Sequence, residues 1–238
     1  MTRAREFAVF DVESDLAHFR RPYTTTSALT FPVPPRTALC GLVGAILGQP
    51  KNEGLSNFLD QEAIFGLLDS APLSLTQYSF NLVDTKDNPS FRLKPENPHT
   101  QVRYECIRSP RYRIAFGHPT LASELRRLLD EGRAVYTPCL GLAWMIAWVD
   151  PVRFESGEEL SASIVVPYKC LVRTADLVGD VQWDSDAVYQ RLRMPAEMQP
   201  DRQVTRYEEY IVETTGRAIP CKLRRHWRLA SGDCFSAM

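Results

Sequence analysis

The chain has 238 residues, 44% hydrophobic and 24% charged, enough for one large domain or two small ones around a sizeable core. Its formal net charge is -1 and its pI about 6.4, which excludes a globally basic nucleic-acid binder. Any contact with a polyanion must rest on local clusters of Arg and Lys.

Phe7 to Val12 is apolar and predicts a first strand. A polar, aromatic and basic segment follows, in which prolines from Pro22 to Pro35 exclude a regular element. Thr37 to Gly48 predicts a helix, with Pro35 near its start and Gly48-Gln49-Pro50 ending it. Leu39, Leu42, Val43 and Ile46 share its apolar face, while Gly41, Gly44, Ala45 and Gly48 leave a small-residue surface open to close approach. Leu55 to Leu67 predicts a second short helix, and Pro72 to Leu82 alternates as a strand. Residues 83–100, polar and proline-containing, read as an excursion from the core. Gln101 to Phe116 is extended, Pro119 to Gly132 is helical with a cap near Thr120 or Ser123, and Leu140 to Val149 is expected to be a buried strand. Short strands follow at Ser161 to Val166, Arg206 to Thr214 and Ala218 to Leu229.

The order is close to βαββαβ. That order and the polar excursion predict an α+β fold: a ferredoxin-like core with an extruded β-hairpin, and a smaller β-rich C-terminal part. The expected division is a first domain over 1–150, with its hairpin around 80–116, and a β-rich extension or small lobe over 151–238.

Six cysteines (Cys40, Cys106, Cys139, Cys170, Cys221, Cys234) show no two-to-four-residue spacing, so no zinc knuckle and no metal site is expected. Reduced, mostly buried thiols and the lack of an apolar leader point to the cytoplasm. The most apolar stretch, Leu140 to Val149, is too short to cross a bilayer as a helix, so no membrane association is expected.

Three stretches depart from the neutral average. The first is His18 to Thr26, with Arg20, Arg21, Tyr23, Thr24 and Thr25, followed by Arg36. The second, Lys86 to Arg113, holds seven basic residues (Lys86, Arg92, Lys94, Arg103, Arg108, Arg111, Arg113) against three acidic ones. The third, Arg217 to Arg228, holds five basic residues and no acidic one. Arg forks and Thr hydroxyls suit phosphate oxygens, and Phe19, Tyr23, Tyr104 and Tyr112 suit splayed bases. The competing reading is a solvated face whose arginines pair with scattered carboxylates, including those of Asp150 to Glu159 and Asp176 to Asp186.

The run AHFRRPYTTTSALTFPVPPRTALCGLVGAILG, residues 17–48, resembles the N-terminal signature of the fifth CRISPR-associated (Cas) protein family, most like subtype I-B. YTPCLGLAWMIA (136–147) and RMPAEMQPDRQVTRYEEYIVETTGRAIP (193–220) resemble family elements less specifically. The resemblance implies a modified ferredoxin-like (RNA-recognition-motif-like) core whose extruded β-hairpin is a thumb, so that 1–150 is an RNA-binding domain. It implies a non-catalytic Cascade subunit that caps the 5′ handle of guide RNA, touches the backbone and large subunits, lies in proximity to target DNA, and needs no cofactor. The expected RNA contacts are Arg20, Arg21, Tyr23, Thr24, Thr25, Arg36, Arg92, Lys94, Arg103, Arg108, Arg111 and Arg113. One family branch cuts precursor guide RNA with a Tyr, a Lys and a His, for which Tyr23, Lys94 and His99 are the candidates here. The alternatives are therefore that metal-independent endoribonuclease or a scaffold touching only protein. His18 reads as a structural hydrogen-bonder to the turn, with an RNA contact as the alternative, and His118 as structural. Trp144 and Trp148 read as core, with a flat apolar surface for a partner subunit as the alternative.

Overall fold

A computed structural model of the chain describes residues 4–22, 24, 27–50, 62–83, 99–161 and 164–238. Among these, two α-helices accompany a predominance of β-structure, an α+β protein. The main sheet is antiparallel and runs β15-β14-β8-β1-β7-β4. Its members are β1 (Ala4–Glu13), β4 (Ile64–Ser70), β7 (Arg111–Gly117), β8 (Trp148–Leu160), β14 (His226–Leu229) and β15 (Cys234–Phe235). Helices α1 (Arg36–Leu47) and α2 (Leu121–Asp130) follow β1 and β7. Strand β8 runs through residue 150, and the C-terminal strands β14 and β15 extend the same sheet. The peptide N–H of Met238 donates to the Phe65 carbonyl at 2.9 Å, bringing the last residues back to β4.

Alternation along β1 divides the core. Ala8, Phe10 and Val12 pack with Leu42 and Ile46 of α1 and Leu125 and Leu128 of α2. Phe7 and Val9 face the other way, against Trp227, Leu229 and Phe235. Strand β4 is buried on both faces, with Phe65 and Leu67 in one cluster and Ile64 and Leu68 in the other. From Ile64 to Leu67 this corrects the helix expected over Leu55 to Leu67: a strand covered on both faces loses period-two alternation and reads like a helical run. Residues 51–61 lie outside the described set.

Helix α1 starts at Arg36, and Gly48 closes it in the left-handed region (φ 75°), where Gln49 N–H donates to the Gly44 carbonyl. Helix α2 begins without a side-chain cap from Thr120. The Nδ1 of His118 accepts from the N–H groups of Thr120 and Leu121 instead, so the structural role expected for His118 is a helix cap.

A second sheet carries the hairpin β5 (Leu75–Val83) and β6 (His99–Arg108), with β2 (Leu16–Ala17) and β3 (Ser27–Ala28) on the other edge of β6. The connecting residues 84–98, most of the expected excursion, lie outside the described residues. The remaining strands are β9 (Val166–Lys169), β10 (Leu171–Arg173), β11 (Tyr189–Met198), β12 (Val204–Glu213) and β13 (Ala218–Cys221). They form a three-stranded sheet β10-β12-β11 and a pair β13-β9.

Leu140 to Ala147 is an irregular loop, and the strand expected there begins at Trp148. The peptide N–H of His18 donates to the Leu140 carbonyl at 3.1 Å, and the Ser14 hydroxyl donates to the Ile146 carbonyl at 2.8 Å. These bonds hold the loop against the segment after β1, so backbone polarity is met without a ladder. Trp144 and Trp148, expected in the core, are 49% and 52% exposed.

Gly141 is fixed by this docking. Its φ is +105°, and a Cβ there would sit 1.9 Å from the His18 carbonyl oxygen. Gly41 in α1 is the opposite case, since an added Cβ meets nothing within 4 Å. Gly141→Ala is expected to destabilise the fold by about 2–4 kcal/mol. Gly41→Ala is expected to be neutral or to stabilise by up to about 1 kcal/mol. Urea unfolding of both variants checks the pair, and equal effects would contradict the docking argument.

Candidate functional site

A groove of about 810 Å³ opens over α1 on the side of the helix away from the sheet. Its floor is the face that the sequence leaves small: Ala38, Gly41, Gly44 and Ala45. One wall is His18, Phe19 and Arg20, continued by Gly141 and Leu142 of the docked loop. The other holds Pro195 and Met198 of β11 and Arg202 of the following turn. Tyr136 closes the far end, where its N–H and that of Val135 donate to the carbonyls of Ala45 and Ile46.

The electrostatics of the groove favour an anion. Pro35 is the N-cap of α1 and contributes no side-chain acceptor, so the positive end of the helix is not neutralised by its cap. No acidic residue occupies the first turn of α1. Arg20 is exposed and donates to the Thr24 carbonyl at 3.2 Å. Arg202 is exposed at a turn with φ +70°.

Arg36 was expected to meet phosphate, but only 6% of its surface is exposed and its guanidinium points inward. Nε donates to the Met238 carbonyl at 3.2 Å, one terminal nitrogen to the Ala196 carbonyl at 3.3 Å, and the other to the Ala63 carbonyl at 3.1 Å. It also lies 5.9 Å over the Phe65 ring. Arg36 therefore fastens the groove floor to the β11 wall.

The other expected contacts divide. Arg21 is half-buried, donating from Nε to the Thr30 carbonyl at 2.8 Å with its guanidinium 5.5 Å over Phe31, so it is a strut of the 19–31 loop. The Thr24 hydroxyl donates to the Arg21 carbonyl and shapes the same loop. Arg103 and Arg108 are exposed on β6. Arg111 and Arg113 belong to β7, not to the hairpin, and lie opposite Glu13 and Asp11 on the sheet face away from the helices. Arg113 makes a bidentate pair with Asp11 (2.7 and 2.8 Å), and its pKa is raised by that hydrogen bonding. Arg111 pairs with Glu13 at 3.2 Å. Tyr23, Thr25, Arg92 and Lys94 lie outside the described residues.

Three of the five basic residues of the third stretch meet carboxylates of the two acidic stretches. Arg217 pairs with Asp184 and Asp186, Arg225 with Asp176, and Arg228 with Glu158. Of the expected stacking residues, Phe19 and Tyr112 are buried, while Tyr104 is half-buried on β6. His18 is buried with Nδ1–H donating to the Glu105 carbonyl at 2.8 Å, a structural bond made to β6 where the sequence reading had one to the turn. Burial lowers its pKa below the ordinary 6.5, so the ring is neutral at pH 7. Sequence reasoning missed Arg202, whose only signal was a lone Arg between Asp201 and Gln203. It also missed the exposed ring of Tyr78, and it favoured the core for Trp144, whose exposure fits the alternative of an apolar surface.

A family model described as CRISPR-associated protein (Cas_Cas5) matches residues 7–132, more than half of the 238. The chain belongs to the Cas5 family. The matched region spans β1 to α2, and so contains the floor of the groove and the His18 to Arg20 wall. Among solved structures, a chain of a CRISPR RNA-guided surveillance complex is similar with a TM-score of 0.52 and 13% identity, covering 95% of this chain and 92% of that one. A CRISPR protein from Archaeoglobus fulgidus is similar with a TM-score of 0.56 and 12% identity, covering 97% of each. At such identities the likeness is one of fold. No curated protein sequence matches the chain. Among the described residues of this Cas5 chain, no group of three or more His, Cys, Asp or Glu is placed to hold a metal, and no helix is long and apolar enough to cross a membrane.

Replacing Arg36 with Met leaves the carbonyls of Ala63, Ala196 and Met238 without that donor in a buried setting. It is expected to cost roughly 2–4 kcal/mol, read as a lower urea midpoint with an unchanged slope.

Proposed function

We propose that the chain is a non-catalytic subunit of a type I CRISPR RNA-guided complex, which holds the 5′ handle of guide RNA in the groove over α1. The observation that carries this reading is the groove itself. Its floor is glycine where a side chain would meet nothing, its helix N-terminus lacks a side-chain cap, and its rims carry exposed Arg20 and Arg202. A mid-helix glycine costs about 1 kcal/mol against alanine. Gly41 returns no packing for that cost, so its use is room for a backbone to approach.

Membership of the Cas5 family and the fold likeness to a chain of an RNA-guided complex support the assignment. A ferredoxin-like core is the reading that best fits the order β8-β1-β7-β4, with helices after β1 and β7 packed on one face. The core over 1–150 would be the RNA-binding part, with 151–238 as its extension, and the backbone and large subunits would flank it in the cytoplasm, with target DNA nearby. The endoribonuclease alternative rests on His99 alone among the described residues. His99 is exposed at the start of β6, and no second catalytic group is described beside it.

Replacing Arg20 and Arg202 together with Ala is expected to weaken binding of repeat-derived single-stranded RNA about tenfold or more, with the melting temperature unchanged. The slope of log affinity against log salt should become shallower by up to about 2. Unchanged affinity and slope would remove the groove from the reading. Precursor RNA incubated with the purified chain in chelator, from roughly pH 6 to 9, should stay intact. A defined product lost on His99→Ala would replace the non-catalytic reading with the nuclease.

A further inference from the structure

The hairpin has two different faces, each built from both strands. Tyr78 lies opposite Tyr104, and Phe80 opposite Val102, so these four side chains share one face, with Thr76, Leu82, Thr100, Cys106 and Arg108 at the remaining positions of the same parity. Rings dominate that face and touch in sequence. Tyr78 stacks near Phe80 (6.3 Å, 27°), Phe80 meets Tyr104 edge-on (5.3 Å, 76°), and Tyr104 meets His18 edge-on (5.0 Å, 71°). Trp144, reaching across from the loop after α2, packs on Phe80 at 5.0 Å.

Tyr78, Leu82 and Trp144 are 44%, 42% and 49% exposed, although each carries a large apolar surface. The row begins at His18, a wall residue of the groove, and runs outward along the hairpin. Charge selects the kind of occupant. Among the nine positions of this parity in β5 and β6 there is one cation, Arg108, and no carboxylate. Glu105, the only acid in the two strands, has the opposite parity, and its carboxylate accepts from the Thr30 N–H at 3.1 Å.

We propose that this face is a stacking platform for unpaired nucleobases, with Trp144 and Tyr78 as its exposed rings and Phe80 and Tyr104 as the layer that holds them. The inference rests on the RNA-binding reading and adds a base-dependent site to a phosphate-dependent groove. Aromatic faces take any base, because every base offers a π-surface, and edge-on packing beneath fixes the rings before the ligand arrives. Strands leaving the groove past His18 meet the platform next.

The test uses the full purified chain and two probes of equal length: a single-stranded oligoribonucleotide, and the same backbone with abasic positions. Trp144→Ala is expected to weaken binding of the first roughly tenfold and to leave the second unchanged, while Trp144→Phe retains most of the affinity. Tyr78→Ala should act in the same sense, and thermal melts verify that both variants fold. Arg20→Ala is expected to weaken both probes alike, which separates the two sites. If the wild type binds neither probe, the RNA reading and the platform both fall. If it binds both probes and Trp144→Ala and Tyr78→Ala change neither, the platform alone falls. Loss of assembly with companion subunits on Trp144→Ala, with RNA affinity intact, would overturn the platform by making the face a protein interface.

Discussion

A guanidinium taken out of water must recover its hydration from fixed acceptors, and Arg36 does so from carbonyls at residues 63, 196 and 238. These acceptors belong to the lead into β4, to β11 and to the last residue, all distant from α1 in sequence. Each must arrive in register for the charge to be tolerated, so one side chain couples the helix, the main sheet and the C-terminal sheet. The groove follows from that coupling. Its floor is the outer face of the helix that Arg36 begins, and its β11 wall is Pro195, the neighbour of Ala196. A buried cation with dispersed acceptors demands geometry that a hydrophobic contact would not.

The opposite wall depends on a backbone contact. The loop from Thr137 to Ala147 closes on itself through the bridge between Cys139 and Ile146 and borrows further partners from the segment after β1, through His18 and Ser14. Gly141 lets the two backbones approach to a distance that any Cβ would forbid. The same loop then projects Trp144 toward the hairpin, so the groove wall and the exposed aromatic row share one support.

Much of the fold was legible. Helix α1 shows its boundaries because Pro35 and Gly48 punctuate a periodic run, and α2 because its leucines recur on one face. Strand β4 and the 140–147 loop were not legible. The first lacks alternation because both its faces are buried, and the second is apolar without being a strand because its polar backbone is satisfied by bonds within the loop and by donors from a distant segment. The groove floor was visible as a row of small residues, but its walls come from positions far apart in the chain. Arg36 misled because a cation beside a basic loop looks exposed in sequence, and the acceptors at residues 63, 196 and 238 are main-chain oxygens, which any residue type can supply.

The near-zero net charge conceals a division between two sides, and β1 draws it. Its even-numbered side chains feed the helix-facing core, while Asp11 and Glu13 point to the reverse face and neutralise Arg113 and Arg111 of the adjacent strand. In the C-terminal part, Arg217, Arg225 and Arg228 are likewise matched by Asp184, Asp176 and Glu158. Paired charges at a few ångströms cancel at longer range, so they contribute little to the field felt by an approaching polyanion. The arginines whose side chains form no ion pair among the described residues include Arg20 and Arg202 at the groove, Arg108 on the ring-bearing face of the hairpin, Arg103 on its other face and Arg224 in the C-terminal part. On the proposed reading, the pair at the groove is what a phosphate backbone would meet beside the small-residue floor.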